Sequence, residues 1–189
     1  MSEYVLRRRQ FLASGAVLFG GAALGGRMAW ALPPGDSPVV VFDARYGDAW
    51  SFAHSAASYG ARPAALDVDV VAQWSQSLGP LVRQRPAPVV GLTTYADFVL
   101  LRGLAAEVGQ RLLFHAYHTR RSSQRVEHRI LRGEAWRGAL ADCSAAGNAW
   151  MHALAAQLVG DRRSIASTSA GAAVESRAVC CTLHSWRIG

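Results

Sequence analysis

Lysine is missing from this 189-residue chain, although arginine occurs 20 times. Without it there is no Schiff-base amine, no P-loop lysine and no lysine general base. Pyridoxal enzymes, P-loop NTPases and typical phospho-receiver domains are therefore excluded. Cysteine is scarce: Cys143, Cys180 and Cys181 are the only three. No C-x-x-C is present, which removes thioredoxin-type redox sites and covalent haem attachment through C-x-x-C-H. Adjacent cysteines rarely bridge, so an ordinary disulfide would join Cys143 to one of the other two; three small buried residues are the alternative. No G-x-S-x-G marks a nucleophile elbow. Between Asp43 and Asp48 the only glycine is Gly47, so the first strand is not followed by a dinucleotide fingerprint. No motif indicates a cofactor, and no apolar run reaches the roughly 20 residues of a membrane-spanning helix.

What is present begins with charge at the amino terminus. Arg7-Arg8-Arg9-Gln10-Phe11-Leu12 precedes a weakly apolar stretch from Leu12 to Gly26, and Ala29-Trp30-Ala31 follows. A charged start, a short apolar middle and an A-x-A end read as an export signal. Arg8, Arg9, Phe11 and Leu12 resemble the R-R-x-F-L core of twin-arginine signals. That resemblance implies handling by the Tat translocase, export in the folded state and cleavage near Ala31 into the periplasm. A leader left uncleaved, anchoring the chain to the inner membrane, is the alternative. The expected organisation is a leader over 1–31, a linker over 32–38 and one domain over 39–189, with no stable membrane span after cleavage.

Beyond residue 31 there are 16 arginines and 12 acids. The excess is local. Residues 111–137 hold seven arginines against Glu127 and Glu134. Such a basic face attracts an anionic ligand or an acidic partner, or is a solvated strand face. Nucleic acid is not expected in the compartment that the leader implies.

Three strand–helix units follow one another. Val39-Val40-Val41-Phe42 reads as a buried strand, and Asp48 as the cap of a helix running to Gly60. Ala64 to Val68 reads as a second strand, and Asp69 opens a helix with Val70, Val71, Trp74, Leu78 and Leu81 at helical spacing. Val89 to Leu92 is a third strand, and Thr93-Thr94 caps a helix with Phe98, Leu101, Leu104, Ala105 and Val108 on one face. Leu112 to His118 is a fourth strand. Arg121 to Gln124 is a turn, after which Val126, His128 and Ile130 alternate with charged residues, so 111–132 is a hairpin. Residues 133–160 read as one or two helices broken at Gly138 and Gly147-Asn148, residues 164–173 as a loop of small residues, and Ala178 to Ile188 as a last strand that pairs with the hairpin. Trp50, Trp74, Trp136 and Trp150 read as core, Trp186 as exposed. The expected fold is α/β: a three-layer Rossmann-like or flavodoxin-like sheet, mostly parallel, with an antiparallel C-terminal hairpin and last strand.

In such a sheet ligands bind beyond the carboxyl ends of the strands, where strand order reverses. That rule selects Asp43, Arg45, Tyr46 and Asp48 after the first strand, Thr93, Thr94, Tyr95 and Asp97 after the third, and His115, Tyr117 and His118 on the fourth. His115 and His118 lie three apart and fall on opposite faces of a strand, which makes H-x-x-H a poor metal site, and none is expected. Val39 to Asp43 is faintly similar to the first motif of haloacid-dehalogenase phosphatases, but Arg45 stands where that family needs a second aspartate. Two functional classes remain. One is a periplasmic accessory or ligand-binding protein, holding a small polar or anionic ligand at the rim or docking on a larger exported oxidoreductase through Arg121, Arg125 and Arg129. The other is a small cofactor-free enzyme using Asp43, Arg45 and His118.

Overall fold

The computed structural model describes residues 37–66, 69–84, 87–123, 125–159 and 182–189. The leader residues Arg8, Arg9, Phe11 and Leu12, the cleavage point near Ala31, linker residues 32–36, the 164–173 loop, Cys180 and Cys181 lie outside them.

The first strand, β1 (Val39–Phe42), is buried at all four positions, as its unbroken apolar run requires. It leads into α1 (Gly47–Ser58). This helix stops at Gly60, whose positive φ of 83° allows a Schellman turn: the Gly60 and Ala61 amides donate to the carbonyls of Ala57 and Ala56. Asp48 is not the cap. Tyr46 occupies that position, and Asp48 sits in the first turn with its carboxylate bound elsewhere. After β2 (Arg62–Ala65) comes one helical stretch of three parts: α2 (Val70–Gln73), a π-helical turn (Trp74–Leu78) and α3 (Gly79–Gln84). Asp69 caps it, accepting from the Ala72 amide at 2.8 Å. The wider π turn stretches the buried positions to a spacing of four, namely Val70, Trp74, Leu78 and Val82, and leaves the expected Val71 exposed.

The third unit is β3 (Val89–Thr93) and α4 (Tyr95–Glu107), capped by Thr94. The hairpin follows as β4 (Leu112–Arg120) and β5 (Val126–Arg132). Two helices, α5 (Arg137–Ala145) and α6 (Trp150–Leu158), break at Gly147 as its sequence suggests. Gly138 does not break the chain; it is the second residue of α5. The last described strand is β6 (Thr182–Ile188).

All six strands form one open sheet in the order β2-β1-β3-β6-β4-β5. The half made of β2, β1 and β3 is parallel. Strand β6 runs antiparallel to both β3 and β4, and β5 antiparallel to β4. Helices cover both faces, and alternation along β4 shows which. His115 stacks on Phe98 of α4, whereas His118 stacks on Trp150 of α6. Helix α1 packs beside α6 on that second face.

The insertion of β6 between β3 and β4 corrects the expectation for Trp186. A terminal strand at the sheet edge would expose that indole; a central one buries it completely. Gly91 is its register partner on β3. A Cβ at Gly91 would lie 2.2 Å from the indole ring, so the glycine is what lets the ring lie flat across the sheet. Trp186 then joins Val41, Trp74, Leu78, Phe98, Leu101 and their neighbours in the core on the α4 face. Among the described residues no helix is long and apolar enough to cross a membrane.

Candidate functional site

The carboxyl ends of β1 and β3 meet where the chain reverses its direction of travel across the sheet, and the polar residues selected from the sequence gather there in two groups. On the α4 side, Asp43 closes an Asx turn by accepting the Arg45 amide at 3.0 Å. The same buried carboxylate takes a forked pair of bonds from the Arg45 side chain, 2.9 Å from Nε and 2.6 Å from Nη2. Nη2 also reaches Asp97 at 3.4 Å. Hydrogen bonding to Asp43, reinforced by its charge and that of Asp97, holds the guanidinium above its ordinary range. Thr94 caps α4 by accepting the Asp97 amide and donates to the Asp97 carboxylate at 2.7 Å. This group is anionic overall, two carboxylates against one guanidinium. It is not an anion cradle.

Thr93 is buried and accepts the indole N–H of Trp186 at 3.0 Å. Tyr95 is exposed, with its ring 5.0 Å from that of His184. His184 in turn faces His115, with 2.9 Å between Nδ1 and Nε2. Burial, the neighbouring His184 and Arg102 push the His115 imidazole down to about 4, and burial lowers His184 as well. The pair is therefore neutral near pH 7.

On the α6 side the second group is closed to solvent. Ser185 Oγ lies 2.6 Å from His118 Nε2, and His118 Nδ1 lies 2.7 Å from His128 Nδ1. The three groups form one hydrogen-bonded chain, in which the His118 ring donates from one nitrogen and accepts at the other. Burial and the charges of the other histidines drive His118 far below its ordinary value. The order hydroxyl, imidazole, imidazole is that of an activated nucleophile held by an orienting third group. Ser185 is fully buried and His118 nearly so, beneath the Trp150 ring, so no substrate reaches the hydroxyl in this arrangement. Beside them Arg120 of β4 binds Asp48 of α1 at 2.6 Å. Two buried donors, Arg120 Nε and Trp150 Nε1, have no partner among the described residues.

The structure thus brings Asp43, Arg45 and Thr94 together, ties Thr93 to Trp186 and rests Tyr95 over His184. It sends Asp48 and His118 to the other group. Tyr46 lies between, beneath the Arg45 guanidinium. The set Asp43, Arg45 and His118, expected of an enzyme, is not assembled: Asp43 and Arg45 bind each other on the α4 side, where Arg45 also reaches Asp97, and His118 binds Ser185 and His128 on the α6 side. Sequence reasoning missed His184, Ser185, His128, Arg120 and Trp150 as members of the site. His184 and Ser185 enter through β6, whose neighbours were not legible in the chain, and His128, Arg120 and Trp150 enter through equally long-range contacts with His118 and Asp48.

The basic hairpin is also redistributed. Arg120 is spent on Asp48, and Arg121 binds Glu127 with both Nε and Nη2, at 2.9 and 2.8 Å. Arg125, Arg129 and Arg132 are exposed and make no ion pair among the described residues. Arg125 and Arg129 still help Arg121 lower the Glu127 carboxyl, which places them around it. All three lie on or beside β5, one of the two edge strands of the described sheet. Compared with known proteins, the chain matches no family model, no curated protein and no solved structure, so its functional reading rests on this geometry.

Proposed function

We propose that this chain is an exported accessory protein that docks on a larger exported protein through the β5 side of its hairpin. An oxidoreductase subunit is the partner class that a folded-export signal favours. The observation that carries this reading is a contrast. The polar groups of the rim are mostly bound to one another, whereas Arg125, Arg129 and Arg132 stand exposed on or beside an edge strand and make no ion pair among the described residues. The Arg8-Arg9 leader supports export through the twin-arginine route to the periplasm. The β2-β1-β3 order, which reverses between β1 and β3, supports kinship with doubly wound Rossmann-like or flavodoxin-like sheets, from which the antiparallel β6 departs.

Docking is tested by cross-linking in the native periplasm with the wild-type chain and an Arg125→Gln/Arg129→Gln variant. Capture lost in the variant and weakened by salt supports it; equal capture by both refutes it. Export is tested separately with Arg8 and Arg9 replaced by lysine, which should hold the chain in the cytoplasm.

The unpartnered Arg120 Nε and Trp150 Nε1 favour a second reading, a small polar ligand whose acceptor atoms meet them. An unmet buried donor costs about 1–3 kcal/mol. Trp150→Phe keeps an aromatic ring at this position and removes the donor. A ligand that raises the melting temperature of the wild type, but not of this variant, would establish that reading; equal stabilisation of both would dismiss it.

A further inference from the structure

We infer that β5 is a template for strand addition and that its occupant is an extended partner segment alternating acidic and apolar residues. The inference rests on the docking reading above and adds the mode and the chemistry of the partner.

The two edges of the sheet differ. Strand β2 is short and carries Pro63, which cannot donate to a neighbour. Strand β5 has seven residues and neither proline nor glycine. Its pairing with β4 is regular from Val126 opposite Arg120 to Ile130 opposite Ala116. The register shifts only beyond, where Leu131 bulges out and is 52% exposed. Val126 to Ile130 therefore forms a flat outer edge about 17 Å long, at roughly 3.4 Å per residue, with half of its backbone groups turned away from β4.

The side chains define what fits. Val126, His128 and Ile130 point to the α6 side and are half-buried. Glu127 and Arg129 point to the opposite, open side, as the register pair Tyr117–Arg129 requires. Arg121 holds Glu127, so the open side presents Arg125 and Arg129. A strand laid along β5 places its own residues directly beside these, where opposite charges attract and like charges repel. Its open-side residues should be acidic, and its alternate residues apolar to continue the surface of Val126 and Ile130. A second copy of β5 laid parallel in register would set Arg129 against Arg129, and an antiparallel copy could offer Glu127 to Arg129 only by taking it from Arg121, so the charges disfavour self-pairing.

The test uses the full chain and a short capped peptide alternating valine and glutamate. Two further peptides carry N-methyl groups on one or the other edge of the same sequence, and a fourth replaces glutamate with lysine. The acidic peptide should bind, and the lysine peptide should not. N-methylation of one edge should weaken binding by about tenfold or more, and of the other edge should leave it unchanged, because only one edge hydrogen-bonds to β5. Equal binding of both N-methylated forms would mean attraction by charge alone and would overturn strand addition. No binding of the acidic peptide, or protection of the β5 amides through concentration-dependent self-association, would overturn it too. The double Arg→Gln variant separates this inference from docking. Periplasmic capture lost in that variant, with no peptide binding to the wild type, retains docking and removes strand addition; unaffected capture removes both.

Discussion

Lowering the pH should destabilise this fold well above the range in which carboxylates titrate. Five buried or half-buried histidines, His115, His118, His128, His152 and His184, are all held below their ordinary value, chiefly by burial. A histidine so depressed is neutral when folded and takes up a proton once unfolded, so the unfolded state binds more protons and stability falls as pH drops. For His115 the window runs from 6.5, its unfolded value, to about 4. Its contribution is complete above pH 7.5, and about 2 kcal/mol is lost by pH 5. His118, His128, His152 and His184 add to the loss with the same sign. Because His184 bonds to His115, and His128 to His118, the second proton of each pair loads later than the first. For a domain of this size the His115 share alone lowers the melting temperature by about 4–8 °C. The assay is urea unfolding followed by tryptophan fluorescence at pH 8, 6 and 5, repeated with His115→Gln. Wild-type stability should fall steeply below pH 6.5, and the variant should lose less between pH 8 and 5. A flat profile from pH 8 to pH 5, or an unchanged slope in the variant, would refute the burial of neutral imidazoles.

Further predictions follow from the packing. Gly91→Ala should cost about 1–3 kcal/mol by overpacking against Trp186, and Trp186→Phe should relieve part of it in the double variant; strictly additive costs in urea unfolding would show that the two do not touch. Asp48→Asn leaves Arg120 buried without its counter-charge and should cost about 3–5 kcal/mol, whereas replacing both residues with leucine should cost much less. Thr94→Ala should cost about 1 kcal/mol through the lost cap of α4, read in the same assay. Cys143 is a buried free thiol pushed up to about 12, so it should resist aromatic disulfide reagents in the folded protein and react once urea unfolds it.

The parts of the fold legible in the sequence are those encoded locally. Val39 to Phe42 and Val89 to Leu92 are buried on both faces and read as such. Asp69 and Thr94 announce helix starts because their side chains have one good use there. The alternation of Val126, His128 and Ile130 marks β5 as a strand with one open face. What escaped the sequence is long-range. Leu183-His184-Ser185-Trp186 mixes polar and apolar residues and resembles an edge strand. It is central because Gly91 makes room for the indole and because the polar side chains find partners across the sheet: His115 for His184, and His118 for Ser185. No pattern within seven residues carries that information. Asp48 shows the same limit: as a cap it needs only its own helix, whereas its true partner, Arg120, lies 72 positions away. The π turn was equally hidden, since Val70, Trp74, Leu78 and Val82 fit an ordinary helix nearly as well.

One structural decision links the closed rim to the open edge. In a sheet that simply continued from β3 to β4, the hairpin would lie against the switch point, and the ends of β1 and β3 would face a neighbour of like direction. Inserting β6 there brings His184 beside Thr93 and Ser185 within reach of His118, so these polar groups are consumed in holding the sheet together. The same insertion moves β4 and β5 one strand outward. Strand β5 becomes an edge of the sheet, and Arg125, Arg129 and Arg132 on or beside it make no ion pair among the described residues. A close relative lacking β6 should therefore differ in two ways at once, with a freer rim and a more protected hairpin. In this chain the polar groups at the ends of β1 and β3 are bound to one another, and the exposed arginines of the hairpin lie along β5, at the opposite edge of the sheet from β2.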